Sequence, residues 1–421
     1  MVTRRQKLLL FGGPQYVTLP QNLLLSPGTL WEDFENAADW TIAGGTAVAD
    51  TTNFKTATQS LKLTSNAGAN VTAIKTINWD LSGNWKQLRF WVYLYNATLT
   101  NYSNFAIEFS NDAARANRYW CWNNGTNPQL VAGWNLITWP KGYFKVGAGA
   151  PTWANPMVRL RFTIQANAGQ IAVASFDDLE IGQTCVPAVI LRFDDGYDTA
   201  YSVAYAYMNP YRIRGSECCI TNKPGTGGVY GTWAQLQEMN AANWSIANHT
   251  RTHTDLTTLN EAQQEAEIIG GHDDLIANGL PNGSHYVAYP GGTYNANTIT
   301  AMTNLAMLIG WNARVTHGQD ATPYSPTVLP NYVPFQTGTN PTSDTTTVAR
   351  CQAWIDEAIA GGLVTCMLWH NIGVGANMTA ANFRLVIDYI RTKALAGLIY
   401  PITIDDLYKL TLGPVSVPKI K

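Results

Sequence analysis

At 421 residues the chain exceeds what one hydrophobic core usually holds, so two domains are expected. A net charge of -2 with only 13% charged residues argues against a nucleic-acid partner, which calls for a basic surface, and favours a neutral one. Aromatics reach 11%, with 15 Trp and 20 Tyr; such rings suit the C–H faces of sugars, and they also fill cores.

The N-terminus carries Arg4, Arg5 and Lys7, then only Leu8 to Phe11 before Gly12, Gly13 and Pro14. The basic start has the look of an export signal, but the apolar run is too short for one, and no stretch is long enough to span a membrane. Residues 1–29 are read as an arm. The six cysteines, at 121, 185, 218, 219, 351 and 366, show no Cys-x-x-Cys spacing; Cys218 and Cys219 read as small buried hydrophobes, and the redox compartment stays open.

Residues 30–184 read as all-β. Runs such as 60–64, 88–94 and 158–164 alternate apolar with polar residues between Gly, Asn, Asp and Ser, which implies strands with one buried face and hence a sandwich or jelly roll. Ten tryptophans fall before residue 154; they could line a glycan groove or fill the core, and both readings stand. From Trp31–Glu35 to Phe176–Ile181 the segment resembles the β-sandwich modules that accompany carbohydrate-active enzymes. That resemblance implies a structural Ca2+ held by Asp33, Glu35, Asp177 and Asp178; the alternative is solvated strand ends.

After Gly182 strands and helices alternate. Strands are predicted at 189–193, 217–220, 245–247, 286–289, 307–315, 363–369 and 398–403, and helices at 232–242, 260–278 and 379–396. In the second helix Ala262, Ala266, Ile269 and Leu275 make a 3.6-type apolar stripe. Alternation of this kind predicts a parallel barrel or doubly wound sheet, with functional groups at the carboxyl ends of the strands.

Two motifs sit at such ends. The run Ala188 to Leu191 stops in Asp194, Asp195 and Gly196, where a turn after Phe193 would bring both carboxylates to one mouth; a plain Asp-Asp-Gly turn is the alternative. Downstream, His249 and His253 at i and i+4 would share one face of a helical turn. With a carboxylate they form a facial two-His, one-Asp set suited to zinc or a similar divalent ion.

These motifs, with Ala288 to Gly292 and Met367 to His370, occur in the order and rough spacing of the polysaccharide deacetylase family, the NodB-homology domain or carbohydrate esterase family 4, which residues 186–412 resemble. The resemblance implies a distorted (β/α)7 barrel of NodB type after the β-sandwich (jelly roll), with 413–421 as a C-terminal tail. It implies a metal, Zn2+ above others, on Asp195, His249 and His253, with Asp194 as general base and His370 as general acid. Tyr289, Pro290 and Gly291 correspond to the third motif, where the amide of Gly291 would serve as oxyanion donor. Leu368 would wall the acetate methyl, and Trp311 is a candidate wall residue.

The chain departs from the family in four places. Ala288 stands where many members carry an arginine that pairs with the base, Gly291 stands where a tyrosine follows the proline, Cys366 stands where a leucine is usual, and no aspartate matches the fourth motif.

The expected function is metal-dependent hydrolysis of N- or O-acetyl groups on a polysaccharide. The alternatives are an inert glycan-binding adhesin and a metal-dependent hydrolase of a non-sugar C–N bond on the same fold. An exported target without a visible export signal suggests an extracellular or virion-associated enzyme, carried by a phage onto a bacterial surface glycan; a truncated leader is the alternative.

Overall fold

The computed structural model describes residues 24–26, 28–95, 102–124, 133–182, 184–311, 335–337 and 345–412. The basic N-terminal run and the 413–421 tail lie outside them.

In the strand Gln87–Leu94, Leu88, Phe90, Val92 and Leu94 are buried while Arg89, Trp91 and Tyr93 turn outward, so one face needs a partner. Its own antiparallel sheet runs Gly133–Pro140, Gln87–Leu94, Val173–Ile181, Ser60–Ser65, Gly45–Asp50, with Thr29–Glu32 also on Val173–Ile181. The facing sheet runs Lys145–Ala148, Arg118–Asn124, Tyr102–Ser110, Met157–Ala166, Asn70–Trp79, Trp40–Ala43. Phe90 meets Phe105 and Phe162 edge-on at 6.3 and 5.7 Å, and Phe162 meets Phe176 at 4.7 Å, so the two sheets share one core. Trp40, Trp85 and Trp139 fill that core and Trp31, Trp79 and Trp153 pack at its margin, whereas Trp120 is 37% exposed. Core filling is thus shown for these six tryptophans.

The second half is one parallel sheet in the order Ile309–Trp311, Tyr286–Ala288, Ser245–Asn248, Ser216–Cys219, Ala188–Asp194, Val364–Trp369, Phe335–Thr337, with Tyr400–Ile402 also on Ala188–Asp194. That makes eight strands among the described residues, one more than expected; Phe335–Thr337 has three residues, too few to show a period. The central strand is buried on both faces: Val189, Leu191 and Phe193 pack toward the helices, and Ala188 and Ile190 into the barrel. Alternation puts Arg192 and Asp194 in the inward row.

Helices Trp233–Ala241 and Glu261–Ala277 begin at capping boxes, Thr232 with Gln235 and Asn260 with Gln263. In the latter the buried face is Gln264, Ile268, Gly271, His272 and Leu275, while Ala262 and Ala266 are exposed, which corrects the predicted stripe. The physical reason is polar: Gln264 accepts from Thr298 Oγ1 at 2.6 Å and donates to the Leu259 carbonyl at 3.0 Å, so a satisfied amide outranks two alanines. No helix among the described residues is long and apolar enough to cross a membrane.

The two halves meet at the base of the barrel, where Gln87 Nε2 donates to the carbonyls of Gly361 and Gly362 at 2.8 and 2.5 Å, just before Val364–Trp369. Also among the described residues, burial raises the Asp405 carboxyl to about 6, against the pull of Lys409 and of hydrogen bonds from Ser245 and Tyr286. Its folded pKa lies above the unfolded value of about 3.9, so its favourable contribution is full below that value and is lost as pH rises to about 6. The Asp405→Asn protein should show a flatter stability profile between about pH 4 and 6 in urea melts; an unchanged slope would contradict this assignment.

Candidate metal and catalytic site

Asp194 closes the central strand, and the next two residues, Asp195 at φ 78° and Gly196 at φ 79°, both adopt left-handed backbone. That turn, tied by the Asp195 amide to the Cys218 carbonyl at 3.0 Å, brings both carboxylates to one mouth. A left-handed aspartate is uncommon, and short polar residues tolerate it best.

His249 and His253 follow the strand Ser245–Asn248 in a loop, not the helical turn that their spacing suggested. Thr250 and His253 are left-handed at φ 62° and 68°, which folds the loop back on itself. A β-branched residue at such a φ is strained, and hydrogen bonds hold it there. Asn248 Oδ1 accepts from the Thr250 amide at 2.8 Å, Thr250 Oγ1 from the His253 amide at 3.1 Å, and the Glu267 carbonyl from the Arg251 amide at 3.1 Å. Asn248 Nδ2 anchors the whole to the Ile268 carbonyl at 2.8 Å.

The result is convergence. His249 Nε2 lies 3.4 Å and His253 Nε2 3.5 Å from Asp195 Oδ1, and the three ligand atoms fall within 4.8 Å of one another; no other such group of His, Cys, Asp and Glu occurs among the described residues. His249 Nδ1 donates to the Ala288 carbonyl at 2.8 Å, which leaves the Nε2 lone pair facing Asp195. Burial, then the neighbouring His249, lowers the His253 pKa, so its ring stays neutral and able to ligate. Asp195 Oδ1 is buried with no hydrogen-bond partner. An orphaned carboxylate oxygen beside two imidazole nitrogens fits a divalent cation and is costly without one.

Asp194 is placed differently. Its oxygens accept from Arg192 Nε and Nη2 at 2.6 and 2.7 Å, a bidentate pair buried inside the barrel. Burial alone would raise its pKa; the Arg192 charge, with help from His249 and His370, outweighs that and holds it down at about 2. Arg192 was not picked out in the sequence. It occupies the same strand as its partner, two residues upstream. The signal was there, since a charged residue inside an otherwise apolar, doubly buried strand needs a partner.

His370 directly follows Val364–Trp369 and acts electrostatically on both Asp194 and His253, which puts it at the same mouth. Leu368 is the register partner of Arg192 and faces the interior with Cys366. Gly291 is left-handed at φ 60° in the turn Pro290–Gly292. The Tyr289 ring, in contrast, lies in the core with Ile268, Val287 and Met302, over Gly310, so what this residue offers the site is backbone. The backbone of Trp311 pairs with Ala288, and its side chain lies outside the described residues. Glu217, wholly buried, was also missed; burial, then Asp194, drives its carboxyl well above the usual range, with Asp195 adding to the effect.

In the sandwich, Asp177 accepts from the Lys55 amide at 2.7 Å, Asp178 from Thr56 Oγ1 at 2.6 Å, and Glu35 from the Thr58 and Gln59 amides at 3.2 and 3.1 Å; Asp33 accepts from the Glu35 amide at 3.1 Å. Burial raises Asp177 to about 7 and also raises Asp178, which feels Asp33 and Glu35. These carboxylates gather around residues 55–59, although no three meet as closely as the Asp195 group.

A Cβ on Gly271 would come 2.2 Å from Asn248 Oδ1, the atom that holds the histidine loop. Gly271→Ala should therefore cost about 1–3 kcal/mol in urea melts and weaken divalent-ion binding by calorimetry. Unchanged values in both would show that the loop does not depend on this contact.

Residues 182–309 match the family model described as polysaccharide deacetylase, a span that includes Asp194, Asp195, His249, His253 and the 289–291 turn. Among curated proteins, YxkH of Bacillus subtilis (strain 168), which carries a polysaccharide deacetylase name, is 30% identical over 122 residues; these cover 29% of this chain and 43% of that protein. Among solved structures, a family 4 carbohydrate esterase from Streptomyces lividans in complex with acetate is 16% identical, covering 51% of this chain and 92% of its own, with a TM-score of 0.36. A family 11 carbohydrate-binding module from Clostridium thermocellum is 13% identical, covering 36% and 93%, with a TM-score of 0.28. The segment 182–309, which contains the carboxylate turn and both histidines, is thus the part of the chain that matches the polysaccharide deacetylase family.

Proposed function

We propose that the chain is a metal-dependent deacetylase that hydrolyses acetyl groups on a polysaccharide. The observation that carries this reading is the meeting of Asp195, His249 and His253 beside a separate carboxylate, Asp194, that an arginine keeps ionised. Asp195, His249 and His253 would hold Zn2+, which when bound polarises an acetyl carbonyl and acidifies a water. Asp194 accepts the proton from that water; ionised above about pH 2, it is always ready but weakly basic. His370 returns a proton to the leaving amine or alcohol, the Gly291 amide donates to the developing oxyanion, and Leu368 walls the methyl group. The adhesin alternative drew on the absent third-motif arginine and the unmatched fourth motif; the Arg192–Asp194 pair weighs against the first of these.

Alanine at His249 or His253 should abolish metal binding and acetate release together. Asp194→Ala or His370→Ala should leave the metal bound and slow acetate release from acetylated glycans by roughly 100- to 10,000-fold. Wild-type turnover in Asp194→Ala would defeat the assignment.

Arg192→Gln leaves a buried carboxylate without its cation, so burial dominates and the Asp194 pKa climbs. Activity should fall, and the acid limb of the pH–rate profile should move upward, while Arg192→Lys restores part of both. Profiles for all three proteins that superimpose would refute a role for the pair.

A structural Ca2+ among Asp33, Glu35, Asp177 and Asp178 belongs to the same reading, supported by two raised carboxyls in one cluster. Added Ca2+ should raise the melting temperature of the metal-stripped protein, and no shift at millimolar Ca2+ would remove it.

A further inference from the structure

The outward face of the sheet built on Tyr102–Ser110 and Met157–Ala166 carries a cluster that no part of the deacetylase chemistry uses. Register aligns Trp120, Glu108, Arg161 and Ile74 in one cross-strand row and Trp122, Ala106, Thr163 and Thr72 in the next. Trp120 and Trp122 stack at 4.3 Å and 25°, and Trp120 leans over Gly147, where a Cβ would come 3.0 Å from its ring. A glycine is therefore required where the ring crosses the neighbouring strand. Ala106 leaves a low floor between Trp122 and Thr163.

Charge is concentrated on the same rows. Glu108, almost wholly buried, is held by Arg115, by Arg161 Nη2 at 2.9 Å and by Arg118 Nε at 3.2 Å, so three guanidiniums share one carboxylate. The other carboxylate of this hairpin, Asp112, is turned into its own loop, accepting from the Ala116 and Asn117 amides at 2.9 and 2.7 Å. Glu108 and its three arginines carry an excess of two positive charges, one once Asp112 is counted, in a chain whose overall charge is -2. Arg161 Nε and Thr163 Oγ1 are buried on this face with no hydrogen-bond partner.

We infer that this face is a binding site for an acidic polysaccharide, with uronate carboxylates on the surplus arginines and a sugar face on the Trp120–Trp122 stack. Stacked rings take the C–H side of a pyranose, and guanidiniums take a carboxylate in bidentate fashion. Charge complementarity at this face selects a polyuronate over a neutral glycan, whereas overall composition points to a neutral partner. The site does not depend on the deacetylase reading.

The test is affinity electrophoresis and calorimetry of the full chain against polygalacturonate, alginate and hyaluronate, each paired with its carboxyl-reduced form. At least one acidic polymer should bind, its reduced form about tenfold or more weaker. Trp120→Ala should weaken binding by a similar factor, and Arg118→Gln should do so while leaving Glu108 paired to Arg115 and Arg161. Both variants should keep the wild-type melting temperature and acetate release from a small acetylated ester, so loss of binding reports this face alone. The inference is overturned if none of the three polymers binds, if reduced polymers bind equally well, or if both variants bind as wild type. Self-association abolished by Trp120→Ala, without polymer binding, would assign the face to a second copy of the chain and also overturn it.

Discussion

The pair between Arg192 and Asp194 sets the conditions for everything at the barrel mouth. A lone carboxylate buried this deeply would protonate, because removal from water penalises the charged form more than neutral packing rewards it. Two residues apart on one strand, acid and cation share the inward row, and the bidentate geometry at 2.6 and 2.7 Å keeps the acid ionised. The consequence is a weak base, so in the proposed mechanism most activation of a water would come from a cation held by Asp195, His249 and His253. The same pair explains a sequence oddity. Cys218 and Cys366 both interact with Arg192, and two small side chains leave room for a guanidinium where a leucine would crowd it.

Strands place these side chains, but strained turns aim them. Asp195 and Gly196 after one strand, Thr250 and His253 after another, and Gly291 after a third all adopt positive φ. Each reverses the chain within a residue or two, so groups that would otherwise alternate away from one another face the same point. Such conformations persist where neighbours over-determine them, and the hydrogen bonds accepted by Asn248, Thr250 and Glu267 do so for the histidine loop.

The sandwich joins at the opposite end of the barrel. Gln87 grips Gly361 and Gly362 just before Val364–Trp369, and His370 follows its last residue, so the seam and the mouth are separated by a strand of six residues, roughly 20 Å.

By itself the sequence determined the alternation of strands and helices in the second half apart from elements such as Phe335–Thr337, the one-sided burial of the sandwich strands and the strand-end positions of Asp194, Asp195, His249 and His370, because these follow from local periodicity and turn chemistry. Tertiary structure decided what periodicity cannot encode. An i, i+4 histidine pair looks the same whether the chain between is helical or left-handed; only contacts to Asn248 and Glu267 select the second. The buried face of Glu261–Ala277 turned on a glutamine whose partner, Thr298, lies 34 residues away. Arg192 read as one charge in a β-run until the barrel closed around it and left Asp194 as its acceptor. Burial and hydrogen bonding are properties of neighbours distant along the chain, and they alone choose among the local conformations that the residues permit.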